Sequence, residues 1–217
     1  MELVAIYRTI SPLFRRRRMK RFYRLFRPSA QTRLLDIGGL PHTWTTEGGE
    51  AAFPVTLVNL RFPNREDAGA GRFTAVEGDA AHLPFIDGSF DIVFSNSVIE
   101  HMETWERQQA FAAEARRVAA SLWIQTPARC FPLEPHFLAP FFHFLPRRIQ
   151  SRLARRFTLW GLLTRPGPAQ VEKVLSEIRL LTLRELRQLF PDCAILRERF
   201  MGLTKSYVVV RGIGQTA

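Results

Sequence analysis

The sequence predicts an α/β fold: a mainly parallel seven-stranded sheet with helices on both faces and an antiparallel hairpin at its C-terminal end. Three observations predict it. From Arg33 to Gln125, runs rich in branched and aromatic residues alternate with helix-like stretches, which implies parallel pairing through crossovers. The first run, "RLLDIGG", ends in an acid and two glycines. The last two runs lie too close together for a helical crossover and should pair antiparallel.

Each element has its own signal. In the first 28 residues, Leu3, Ile6, Tyr7, Ile10 and Phe14 recur at helical spacing; Ser11-Pro12 can start a second helical piece, and Pro28 ends it. Strands follow at "RLLDIGG", at Val55 to Leu60, at Arg72 to Ala80 and in the first part of Ser89 to Met102. Trp105 to Val118 has helical character, and Leu122 to Gln125 is a strand stopped by Thr126-Pro127. After a Phe- and Pro-rich insert at about 128–160 come helices around Val171 to Ile178 and Thr182 to Leu189. Two closing strands, Ala194 to Phe200 and Ser206 to Arg211, flank a turn at Gly202. At 217 residues, 46% hydrophobic and 24% charged, the chain suits one globular domain, residues 29–217, preceded by a basic amphipathic arm, residues 1–28.

The formal net charge is +11, and the arm holds nine basic residues against the single acid Glu2. Its charges do not precede an apolar run, so a secretory signal is not indicated, although an Arg-rich, acid-poor start also fits an organelle transit peptide. No apolar run reaches the roughly 20 residues of a membrane-spanning helix. Cys130 and Cys193 stand far apart with no metal-ligand spacing, so no metal is expected and a reducing, cytoplasmic setting is.

Between Gly78 and His101 the chain reads Gly-Asp-Ala, Leu-Pro-Phe, Asp-Gly-Ser-Phe-Asp and Glu-His in order. With Asp36-Ile37-Gly38-Gly39, this pattern resembles the class I S-adenosylmethionine-dependent methyltransferases, which have a Rossmann-like fold, over roughly Arg33 to Gly212. The likeness is nearest to a bacterial subgroup with a Gly-Gly-x-Pro…Trp loop, here Gly38 to Trp44, in which Leu40 and His42 replace the later glycines. Asn59 stands where most of the family has an acid for the ribose hydroxyls. An amide can bond both hydroxyls but lacks the charge that strengthens such bonds. Trp44 could offset part of that loss by stacking or shielding. The resemblance implies S-adenosyl-L-methionine as cofactor. It places Asp36, Gly38, Gly39, Ser95 and Asn96 at the methionine end, Asn59 at the ribose, and Asp79 and Ala80 at the adenine. Asp79 also reads as a helix cap and Asn59 as a turn residue.

Methyl transfer to a hydroxyl or amine can require proton removal at the pocket mouth. His101 and His136 are the candidate bases, with Glu100 and Glu134 as orienting partners; His42 reads as a loop residue. Phe131, Phe137, Phe141, Phe142 and Phe144 suggest a lid over the acceptor or a lipid-facing surface, or else a hairpin covering the sheet. Arg147, Arg148, Arg152, Arg155 and Arg156 follow directly. Basic beside aromatic residues, twice in one chain, suggests peripheral contact with an anionic membrane such as the inner membrane face. The expected acceptor is therefore a small or lipid-like molecule. Nucleic acid is the rival partner for the charge, but base-methylating enzymes of this fold carry a Pro-Pro-aromatic loop where this chain has Ser95-Asn96-Ser97-Val98. A third reading is a non-catalytic binding protein that retains the fold.

Overall fold

The computed structural model describes residues 2–47, 51–62 and 71–212. Helix α1 (Glu2–Phe26) leads into strands β1 (Leu34–Ile37), β2 (Val55–Asn59), β3 (Phe73–Glu77) and β4 (Phe90–Asn96). Helix α2 (Trp105–Val118) and β5 (Ala119–Pro127) follow, then a two-residue hairpin of β6 (Leu133–Glu134) and β7 (Ala139–Pro140). Four helices come next, α3 (Arg147–Phe157), α4 (Leu159–Thr164), α5 (Pro168–Glu177) and α6 (Leu183–Leu189), before β8 (Ala194–Phe200) and β9 (Leu203–Arg211). The main sheet has the order β3-β2-β1-β4-β5-β9-β8. Its first five strands are parallel, and β9 pairs antiparallel with both β5 and β8. The strand order switches direction between β1 and β4, and ligands of such sheets bind beyond the strand ends at that switch.

Side chains alternate across the sheet, so each strand feeds two cores. Leu35, Ile37, Val93, Leu122, Ile124 and Val209 meet Phe111 and Ala115 of α2 and Leu186 of α6 on one face. Leu34, Leu57, Ile92, Phe94, Trp123 and Val208 meet Met19 and Phe22 of α1 on the other. By the same alternation Asp36 falls on the face of Leu34, toward α1.

Two features depart from the sequence pattern. The first crossover carries a five-residue π-helical turn, Thr43–Glu47, in place of a full helix, in a stretch broken by Pro41 and Pro54. Helix α1 fills that face, running unbroken through Ser11-Pro12. The C-terminal part of the stretch expected as an arm packs on the sheet: Met19 and Phe22 are buried, and the Phe22 ring packs edge-on against Trp44, Phe94 and Trp123.

The insert folds around a third core, in which Phe137 and Phe142 pack with Ala154, Val171 and Leu175. Phe131 lies against the α2 face of the sheet, whereas Phe141 and Phe144 are exposed.

Candidate active site

At the tip of β1, Asp36 is completely buried. Its Oδ2 accepts a 2.8 Å hydrogen bond from Trp44 Nε1, while Oδ1 has no partner. Burial pushes this carboxyl up to about 8, against the lowering effect of the Trp44 bond. Trp44, suggested by the sequence as a stacking or shielding group, is itself buried and holds Asp36 in place.

The two glycines fit neighbouring side chains. Gly38 has φ +75°, and a Cβ there would meet Val98 Cγ2 at 2.4 Å. A Cβ on Gly39 would lie 1.8 Å from Asp36 Oδ2, so only glycine leaves room for the buried carboxyl. Asp36, Gly38 and Gly39 line a cavity of about 170 Å³ together with Arg15, Leu40, His42, Thr43, Phe94 and Asn96. That is below the roughly 300 Å³ at which cofactor-sized pockets begin, and suits one polar end of a ligand.

Other candidate residues hold the strand ends together. Asn59 Nδ2 donates to Gly39 O at 2.8 Å, leaving its amide oxygen as the acceptor for a ligand. Ser95 is buried and donates through Oγ to Ile37 O at 3.1 Å. Asn96 Oδ1 accepts from the guanidinium of Arg18, which also donates to Gln125 Oε1 at 2.9 Å and pairs with Glu198 at 2.8 Å.

Beyond β3, Asp79 caps the following turn by accepting from Ala81 N at 2.9 Å, and Arg107 bonds both of its carboxylate oxygens, at 3.0 and 3.1 Å. Its carboxyl is held below the usual range: burial opposes this, and the Ala81 and Arg107 bonds outweigh it. Ala80 is buried beside it. Residues 63–70, which follow β2, lie outside the described residues.

A second group forms where β4 ends. Ser97 takes a left-handed conformation, φ 59°, and turns the chain into the 3₁₀ turn Ile99–His101. Buried Ile99 fixes that turn and presents Glu100 and His101. The β6–β7 hairpin brings His136 up from the insert, and the two imidazoles meet edge-on with centroids 4.9 Å apart. His136 Nδ1 lies 2.7 Å from Glu134 Oε1, which can only accept if ionised, so Nε2 carries the free lone pair. Glu100 is completely buried; its Oε2 accepts from Thr126 Oγ1 at 3.0 Å, and Oε1 has no partner. Burial pushes Glu100 up to about 7 and, with the charge of His136, pushes His101 down to about 4. For His136, burial opposes the charged form, but Glu134 and Glu100 carry it above the ordinary imidazole value.

The fold thus gathers all four residues that the sequence offered as bases and orienting partners. It also places Arg15 and Arg18 at the site, which sequence reasoning missed, and gives Trp44 the role of donor to Asp36 in place of stacking. A signal existed: Arg15, Arg18, Met19, Phe22 and Phe26 recur at helical spacing, so both arginines share the face that is buried.

Residues 35–121 match the family described as "Methyltransferase domain". That match spans about two-fifths of the chain, from β1 to the start of β5. A curated Encephalitozoon cuniculi protein named as a methyltransferase is 47% identical over 49 residues, 23% of this chain and 23% of its own length, so the match spans under a quarter of either protein. Among solved structures, a Pyrococcus horikoshii protein superposes with a TM-score of 0.58 at 15% identity, covering 99% of this chain and 92% of its own. The N-terminal domain of EvdMO1, solved in the presence of S-adenosylhomocysteine and D-fucose, gives 0.54 at 19% identity, covering 92% of this chain and 83% of its own. At such identities the likeness is one of fold.

Proposed function

We propose that this methyltransferase-domain protein transfers a methyl group from S-adenosylmethionine to a small-molecule or lipid-like acceptor. The observation that carries the reading is Asp36: a buried carboxyl with one oxygen unpartnered, lining a small polar cavity at the switch point of the sheet. A buried acceptor without a partner is costly, and an ammonium group is the ligand chemistry that would satisfy it. Arg15 in the same cavity suits the adjacent carboxylate. The amino-acid end of the cofactor therefore fits the residues present. Asn59 and Asp79 would hold the ribose and adenine, with Asp79 sharing its carboxylate between Arg107 and the ligand.

When bound, the cofactor supplies an electrophilic methyl on a sulfonium. The cluster of Glu100, His101, Glu134 and His136 would take the proton of an acceptor that receives this methyl. The protein's own contribution is alignment and exclusion of water.

A lipid-like acceptor is supported by α3 and α4. Phe157 is 71% exposed, Leu162 58% and Leu163 66%, and the exposed Arg148, Arg152, Arg155 and Arg156 lie on the same two helices. Apolar side chains rimmed by arginines suit peripheral contact with an anionic lipid surface. No helix among the described residues is long and apolar enough to cross a membrane.

The test is transfer of labelled methyl from S-adenosylmethionine into fractionated extracts. Label in the small-molecule or lipid fraction supports the reading; label confined to nucleic acid overturns the acceptor class. His136→Ala should lower transfer by about 10²- to 10⁴-fold, the scale for a lost proton acceptor, without changing S-adenosylhomocysteine affinity.

A further inference from the structure

The geometry points to a divalent transition-metal site made by Glu100, His101 and His136, at which the acceptor's oxygen would be bound. Sequence spacing offered no metal site because His136 comes from the β6–β7 hairpin and joins Glu100 and His101 only in the fold. One donor atom from each of the three residues lies within 4.8 Å of the others. Across a tetrahedral ion with ligand distances near 2.1 Å, donors stand roughly 3.4 Å apart, so side-chain movements of about an ångström close the site. His101 is the most solvent-exposed of the three.

Independent features point to a cation. Glu100 Oε1 is buried without any hydrogen-bond donor, at a cost that a bound cation would remove. The supporting contacts are those that metal ligands use. Glu134 fixes His136 through Nδ1 at 2.7 Å and leaves Nε2 for the ion, and Thr126 orients Glu100 through Oε2 at 3.0 Å.

Two imidazoles and one carboxylate favour zinc, manganese(II) or iron(II) over magnesium and calcium, which take mainly oxygen ligands. Three protein ligands leave open positions, the mark of a catalytic rather than a structural site. A hydroxyl bound there would lose its proton more readily, since the ion stabilises the oxyanion. This inference rests on reading the cluster as the acceptor end of a methyltransferase, and it assigns the means by which that end works.

The experiment uses the full chain, stripped with chelator and titrated with Mn²⁺ or Zn²⁺ alone, with S-adenosylhomocysteine affinity measured separately. One ion per chain should bind, with nitrogen couplings from two histidines in the Mn²⁺ spin-echo spectrum. His101→Ala and His136→Ala should each weaken binding by at least about tenfold and each remove one coupling. Glu134→Gln should weaken it within the roughly 10- to 100-fold range of lost supporting bonds. His101 is exposed, so its variant keeps the proposal testable if the buried ones fail to fold. No stoichiometric ion, or equal affinity in the His101→Ala/His136→Ala double variant, overturns the metal site. If S-adenosylhomocysteine still binds in that case, the methyl-transfer reading stands without it; metal binding without nucleoside binding supports the site and removes the methyl-transfer reading instead.

Discussion

Replacing Asp36 by asparagine should make the protein more stable and less able to bind its cofactor. The carboxyl moves from 3.8 to about 8 because burial disfavours its charge. A raised acid binds its proton more tightly in the folded state than in the unfolded one. Its effect is therefore to lower stability progressively as pH rises from about 4 to about 8, and to level off above that. Four units at about 1.4 kcal/mol each set a ceiling of about 6 kcal/mol, which relaxation and water entry will reduce to a few. Asparagine cannot ionise, yet its amide oxygen can still accept from Trp44 Nε1. Urea unfolding at pH 5, 7 and 9 should show the variant gaining on the wild-type protein as pH rises. Calorimetry with S-adenosylhomocysteine should show a loss of about 1.5–3 kcal/mol, the scale for a charged hydrogen bond. Parallel stability curves for the two proteins would refute the buried-charge argument, and unchanged nucleoside affinity would refute the role given to Asp36.

Further outcomes follow from the same geometry. Gly39→Ala should displace the Asp36 carboxyl, because the added Cβ would lie 1.8 Å from Oδ2, and should abolish nucleoside binding measured by thermal shift. Asp79→Ala should weaken S-adenosylhomocysteine binding by about 1–3 kcal/mol in calorimetry, whereas an unchanged constant would place the adenine elsewhere. Arg18→Met should cost about 3–5 kcal/mol in urea unfolding, since it strands Glu198 with its side chain only 13% exposed. Phe157→Ser with Leu163→Ser should reduce binding to anionic vesicles at unchanged stability. This pair is preferable to deleting residues 1–27, which would also remove Met19 and Phe22 from the core.

The strands were legible because burial writes itself as period-two or continuous apolar runs. Trp105–Val118 and Ala194–Phe200 have the bounds their patterns indicate. Less legible was what the polar residues do. The run Arg15 to Arg18 reads as part of a basic arm for an anionic surface, yet Arg18 is buried against Asn96, Gln125 and Glu198, partners supplied by three different strands. Trp44 looks like a ligand-stacking residue until the shortened crossover folds it beneath Asp36. The His101–His136 contact could be suspected from residue type, but its closeness depends on the insert's hairpin, whose two-residue strands carry almost no pattern. Asp79 shows both of its readings at once: it is the cap, and its partly exposed carboxylate remains at the strand end where the resemblance puts adenine.

The most direct measurement is titration of the full chain with S-adenosylhomocysteine, followed by calorimetry for the wild-type protein and Asp36→Ala. Saturable binding of one molecule per chain, lost in the variant while it remains folded, is the predicted result. Absence of binding to the wild-type protein, or equal binding to both, would contradict the account.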